Sequence, residues 1–258
     1  MEAACWQVVG ASVRGAGHEK TGQPCQDAHA WLQTPAGVLL AAVADGAGSA
    51  AQSEIGAATA ARSAVERLRC IEAGVPSPDD TPGWRAFLLS GLQAAQEAVE
   101  VEAAALQTSA RELATTLVLA AATPNCVAVA QVGDGAVVVA DRQGNLTALS
   151  PPPSGEHLNE TTFLVSPDAL DTASCFVWQG DAAYLALLSD GLQMLALKMP
   201  EGAPHAPFFA PLFRFASDIA EPAAAQAQLE AFLRSSRIAE RTDDDLTLLL
   251  AASAGTGD

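Results

Sequence analysis

Three Asp-Gly pairs, Asp45-Gly46, Asp134-Gly135 and Asp190-Gly191, each follow an apolar run of strand length. With 15 Asp and 20 Gly in 258 residues, chance supplies about one such pair. A carboxylate at a strand end, followed by a Gly whose carbonyl is unshielded, offers the hard oxygen ligands that Mg²⁺ and Mn²⁺ take. The competing reading is a hairpin turn, which Asp-Gly also favours. That reading is strongest for Asp134, which strand-like runs flank closely on both sides. Asp27, in Cys25-Gln26-Asp27-Ala28-His29, and the run Asp243-Asp244-Asp245 place further acids at element ends. Four or five carboxylates gathered at one sheet edge repel one another unless cations sit between them, which is the physical case for a metal site.

Side-chain nucleophiles have no comparable support. No Cys is followed by Arg at the sixth position, as a thiolate phosphatase loop requires. Gly17-His18-Glu19-Lys20-Thr21 has Glu where a nucleotide-binding loop needs Gly before its Lys, and neither HExxH nor Gly-x-Ser-x-Gly occurs.

The elements that must carry these acids follow from periodicity. Residues 6–12, 38–44, 117–122, 126–132, 136–140, 146–149, 175–178, 184–189 and 246–252 read as strands, with 117–149 a meander of antiparallel strands. Apolar residues at helical spacing predict helices over 50–70, 84–106, 207–219 and 222–235. Residues 14–26 and 74–83 read as loops, and Pro151-Pro152-Pro153-Ser154-Gly155 opens an irregular excursion. Strands and helices come in blocks without βαβ alternation, so two packed antiparallel sheets with helices on their outer faces are favoured. The fold class expected is α+β, a four-layer α-β-β-α sandwich formed by residues 1–258 as a single domain.

Half of the residues are hydrophobic and 17% are charged, which fits a globular chain. The formal net charge of −17 argues against nucleic acid as a partner. No apolar run approaches the roughly 20 residues of a membrane span, and residues 1–6 lack the features of a secretory signal. A cytoplasmic location is expected. Five widely spaced cysteines fit neither a disulfide framework nor a zinc site, and are expected to be reduced and mostly buried.

In order and approximate spacing, Gln26-Asp27-Ala28-His29, Val43-Ala44-Asp45-Gly46, Ala114-Thr115-Thr116, Gly133-Asp134-Gly135, Ser189-Asp190-Gly191 and Asp244-Asp245-Leu246-Thr247 match one family. Together they resemble the metal-dependent serine/threonine protein phosphatases of type 2C, in a bacterial branch, over residues 10–252. The resemblance implies hydrolysis of phosphoserine and phosphothreonine on proteins by a hydroxide bridging two Mg²⁺ or Mn²⁺ ions. Asp45 would bridge the ions, with the Gly46 carbonyl on one and Asp190 and Asp244 on the other. Asp27 would hold metal-bound water, Asp134 a weaker third ion, and 150–172 would form a flap beside the site; Asp243 or Asp245 would be a neighbour.

The family's phosphate-gripping Arg and its His after the first Asp-Gly are replaced by Gly22 and Ala47. Arg14 and Lys20 are therefore the candidate substrate-binding residues, and His18 and His29 the candidate catalytic proton donors. A phosphorylated protein is the implied partner, with a cognate serine/threonine kinase behind it. Two alternatives remain: a pseudo-phosphatase that binds phosphoproteins without turnover, and a phosphatase dedicated to one small regulatory partner.

Overall fold

The computed structural model describes residues 5–71, 74–150 and 161–254. Its elements run β1 (Cys5–Val13), α1 (Ala16–Thr21), β2 (Ala28–Gln33), β3 (Leu39–Ala44), α2 (Ser53–Arg69), α3 (Thr81–Ala105), β4 (Leu117–Thr123), β5 (Cys126–Val132), β6 (Ala136–Asp141) and β7 (Leu146–Ala148). They continue with α4 (Ala169–Thr172), β8 (Ser174–Gln179), β9 (Ala182–Leu188), α5 (Gln193–Ala196), β10 (Leu197–Lys198), β11 (Ala203–Pro204), α6 (Ala206–Ser217), α7 (Pro222–Leu233), α8 (Ser236–Ala239) and β12 (Leu246–Ala254).

Two antiparallel five-stranded sheets result, ordered β1-β12-β9-β6-β7 and β2-β3-β4-β5-β8. They stack face to face, with α2 and α3 covering the second sheet and α6 and α7 the first. This is the α-β-β-α sandwich expected. Side chains alternate across each strand. Leu39, Ala41 and Val43 of β3 face Leu249 and Ala251 of β12 between the sheets. Leu40 and Ala42 instead meet Ala61, Val65 and Leu92 of the helices, as Leu248 and Leu250 meet Phe209 and Leu229. Because both faces of each sheet are covered, the central strands read as unbroken apolar runs. Helix α3 starts where the Asp80 carboxylate accepts the Gly83 N–H at 2.9 Å, capping one of the free donors of the first turn.

Three expectations need correction. Residues 117–149 are not one meander: β5 pairs with β4 and β8, whereas β6 pairs with β7 and β9 of the other sheet. Asp134-Gly135 is thus a crossing between sheets and not a hairpin turn. Gly133 makes the crossing possible with φ of +98°, and Gln131 Nε2 holds it by donating to the carbonyls of Gly133 and Gly135, each at 2.8 Å. Within the loop read over 14–26 lies α1, followed by β2, a half-buried strand whose pattern is too irregular to announce itself. The cysteines are less buried than expected. Cys25, Cys70, Cys126 and Cys175 are free, but only Cys126 is buried, and Cys70 is exposed at the end of α2.

Pro151 to Gly155 lie outside the described residues, as do the rest of 151–160. From Thr161 onward the excursion is packed down: Leu164 is fully buried and its N–H donates to the Thr115 carbonyl at 2.8 Å.

Candidate active site

Antiparallel register brings the acids to one end of the sandwich. Ala28 pairs with Ala44, so Asp27 and Asp45 adjoin; Leu248 and Ala136 both pair with Leu188, so the segments carrying Asp244, Asp134 and Asp190 adjoin as well. A cavity of about 230 Å³ opens there, lined by five aspartates, Asp45, Asp134, Asp190, Asp244 and Asp245, and by no Lys or Arg. Asp45, Asp134 and Asp190 each present a carboxylate oxygen within 4.8 Å of the other two.

Local bonds fix Asp45, Asp134 and Asp27. The Asp45 backbone is gripped by the Ala114-Thr115-Thr116 motif: its N–H donates to Thr116 Oγ1 at 3.1 Å, and its carbonyl accepts from Thr115 Oγ1 at 2.9 Å and Thr116 N–H at 2.8 Å. The following bridge uses the Ala47 N–H, so the Gly46 carbonyl is not consumed by it. A Cβ on Gly46 would stand 2.6 Å from the Gln26 carbonyl oxygen, so no side chain fits. Asp134 accepts from Thr161 Oγ1 at 3.0 Å, and its carbonyl accepts from Gln193 Nε2. Asp27 is buried behind the cavity, where Ser189 Oγ donates to it at 2.7 Å.

The electrostatics are those of an acid cluster without its counter-ions. Burial, followed by the charges of neighbouring aspartates, raises the Asp45 carboxyl well above the ordinary carboxylate range. Asp27, Asp190 and Asp244 are raised too, again by burial first. Asp45 and Asp190 bring carboxylate oxygens within 4.8 Å of each other, and the charge of Asp190 is among the causes that raise Asp45. Asp190 Oδ1 and Gln26 Oε1 are nonetheless buried without a hydrogen-bond partner among the described residues. An orphaned carboxylate oxygen inside a cluster that can ionise only against repulsion fits divalent cations, which supply the missing partner and the missing positive charge together.

His18 also lines the cavity. Its Nδ1 lies 2.9 Å from Oδ2 of Asp245, the latter only 2% exposed. Asp245 also accepts the backbone N–H groups of Gly15, at 2.7 Å, and Gln26. It thereby ties the loop from Gly15 to Gln26 onto the start of β12, and a side chain at Gly15 would run into the Asp244 carbonyl. Sequence reading treated Asp245 as a neighbour because three adjacent Asp look alike. Gln26 and Thr116 stood in the matched motifs without being read as lining residues, whereas nothing in the types of Thr161 and Phe163 marks them.

The remaining candidates lie elsewhere. His29 faces the other sheet, against Gly10 and 2.9 Å from Ser12 Oγ, and does not line the cavity. Arg14 is exposed and donates to the Gln23 carbonyl at 3.2 Å. Lys20 is exposed and paired with Asp243 at 3.3 Å. Neither cation lines the cavity.

Residues 14–234 match the profile of the family described as Protein phosphatase 2C. The chain is 35% identical to Serine/threonine-protein phosphatase 3 of Escherichia coli (strain K12) over 95% of this chain and 98% of that protein. Among solved structures, a bacterial serine phosphatase superposes with TM-score 0.67 at 16% identity, covering 97% of this chain and 99% of that one. The catalytic domain of the serine threonine protein phosphatase PstP, in complex with two manganese ions, gives 0.63 at 17%, over 98% of this chain and all of that one. PppA, a regulatory component of T6SS in Pseudomonas aeruginosa, gives 0.62 at 23%, over 97% and 99%.

Proposed function

The chain belongs to the protein phosphatase 2C family, and we propose that it hydrolyses phosphoserine and phosphothreonine on proteins with the residues of the aspartate-lined cavity. The observation that carries this is the mutual approach, within 4.8 Å, of Asp45, Asp134 and Asp190 around a buried Asp190 oxygen that lacks a partner. The cofactors are Mg²⁺ or Mn²⁺. When bound, these ions neutralise phosphoryl charge and make a water acidic enough to attack phosphorus near neutral pH. Asp45, the Gly46 carbonyl, Asp190 and Asp244 would hold two of them and Asp134 a third. Asp27 keeps Ser189 in place beside Asp190, and would orient solvent on that side of the cavity.

His18 is the proton donor of this scheme. Asp245 engages Nδ1, which leaves Nε2 for the substrate. As the bond from phosphorus to the serine or threonine oxygen breaks, that oxygen takes the Nε2 proton of the imidazolium; the products are a hydroxyl side chain and inorganic phosphate. His29 is assigned to the sandwich interior, and Arg14 and Lys20 to outer contacts with the substrate peptide. Residues 1–258 act as one domain, with 150–172 as the flap beside the cavity. A cytoplasmic location is supported by four free cysteines. No helix among the described residues is long and apolar enough to cross a membrane. A serine/threonine kinase must supply the substrate.

The test is phosphate release from a phosphothreonine peptide. Activity with Mn²⁺ that vanishes in chelator and returns on adding Mn²⁺ is expected. Undiminished turnover by protein shown to be free of metal would sink the reading.

A further inference from the structure

Beyond Asp190 the chain borders a second cavity, of about 430 Å³. Met194, 74% exposed, and Phe208 form its apolar side, and Lys198, His205, Arg237 and Arg241 surround them. The chain has 30 acidic residues and only 13 Lys and Arg. Yet three of those 13 line this groove, and none of the acids does. Ion pairs among the described residues engage His18, Lys20, Arg69 and Arg142, so Lys198, Arg237 and Arg241 have no carboxylate partner among the described residues. Gathering like charges beside exposed apolar surface does nothing for folding, because they repel. It does create a place where an anionic, partly apolar ligand is attracted on a surface that otherwise repels it.

We propose that this groove docks an acidic segment, carrying an apolar residue, of the phosphoprotein substrate; the proposal rests on the function proposed above. Position supports it. Arg241 precedes Asp244 by three residues and Met194 follows Asp190 by four. At about 3.3–3.6 Å per residue, their Cα atoms stand within roughly 11 to 14 Å of those of the two cavity aspartates. An extended substrate spans that distance in three or four residues. The groove therefore reads sequence a few positions from the phosphorylated residue, while the aspartate cavity reads the phosphate.

The test uses three phosphothreonine peptides: one with a Glu-Glu-Leu-Glu run ending four residues before the phosphothreonine, one with the run starting four residues after it, and one neutral. An aryl phosphate is the fourth substrate, and Mn²⁺ is present throughout. The wild type is expected to favour one acidic peptide over the neutral one by about tenfold in kcat/KM, through KM. R237E/R241E is expected to lose that preference while hydrolysing the neutral peptide and the aryl phosphate at wild-type rates. Raising salt to about 0.5 M is expected to shrink the wild-type preference.

Fluorescence anisotropy of the labelled, unphosphorylated acidic run adds a readout that needs no turnover. Binding to the wild type, lost in R237E/R241E, supports the groove even if no phosphopeptide is hydrolysed, a result that would sink only the proposed reaction. No kinetic preference together with no anisotropy change overturns the docking site. So does tighter capture by anionic phospholipid vesicles than by the peptide, abolished in the same variant, which would assign the groove to a membrane surface.

Discussion

Between Asp190 and Lys198 the chain borders two cavities of opposite charge. One is lined by five aspartates and no Lys or Arg, the other by three Lys or Arg and no acid. Their backbones differ as much as their charges. Every aspartate of the first sits at the end of a sheet strand or in the segment leading into or out of one, whereas the cations of the second are exposed side chains on short elements and a turn. The contrast separates two ways of recognising an anion. Flexible cations attract it at long range and tolerate variation in its sequence. A rigid acidic cup attracts it only after divalent ions invert the local charge, so recognition of the phosphate and its activation arrive together.

The comparison is broken most severely at the cup. Asp45→Asn removes a ligand on which the buried cluster converges, and is expected to cost about 10³-fold in kcat/KM on every substrate, the equivalent of about 4 kcal/mol. Binding of the acidic segment to the groove is expected to survive the same change, as anisotropy will check. Next comes His18→Ala, with a loss of about 10²-fold on phosphopeptides and little on an activated aryl phosphate, whose leaving oxygen needs no proton. Equal losses on both substrates would make His18 a phosphate contact.

Asp134→Ala is expected to lower turnover about tenfold and raise the Mn²⁺ concentration needed, while calorimetry still detects two tight ions. The smallest effect is on stability. Carboxyls raised in the folded protein bind protons more tightly than in the unfolded chain. Their contribution is therefore complete below the ordinary carboxylate pKa of about 4 and is lost as pH rises through the raised values of Asp27, Asp45, Asp190 and Asp244. Metal-free protein should lose Tm between pH 5 and pH 8. The stabilisation by Mg²⁺ should grow over the same range to about 5–10 °C at saturation. In R237E/R241E this pH trend is expected to be unchanged, and a scan at several pH values tests both statements.

The sequence disclosed the cup better than its surroundings, for identifiable reasons. Asp-Gly after an apolar strand is both a ligand motif and an element boundary, so Asp45 and Asp190 could be placed and given chemistry together. At Asp134 the same dipeptide looked like a hairpin, because nothing local distinguishes a tight turn from a crossing to the other sheet; only the partners of β6 reveal it. His29 shared a motif with Asp27 and, two residues on, faces the same opposing sheet, but there it packs against Gly10 and Ser12 of β1 and does not reach the cavity. Asp245 was indistinguishable by type from Asp243 and Asp244, though Asp245 is buried at the centre of a loop anchor, Asp244 lines the cavity and Asp243 stands outside it. The groove was invisible because Lys198 and Arg241 are 43 positions apart and meet only once α5 to α8 have packed.

The place of β12 bears on how the enzyme comes into being. It lies between β1 and β9, with Cys5 opposite Ala254 and Leu188 opposite Leu248. On the ribosome, where chains emerge at roughly 5–20 residues per second, β12 is the last of the twelve strands to appear. Until then β1 and β9 have open edges facing each other, and the sheet that contains them is in two parts. Asp244 and Asp245 come out immediately ahead of that strand, one for the ions and one for the His18 loop. Closure of the sheet and completion of the site thus depend on one late strand, so a chain that stops short of β12 has neither the closed sheet nor the anchored His18 loop.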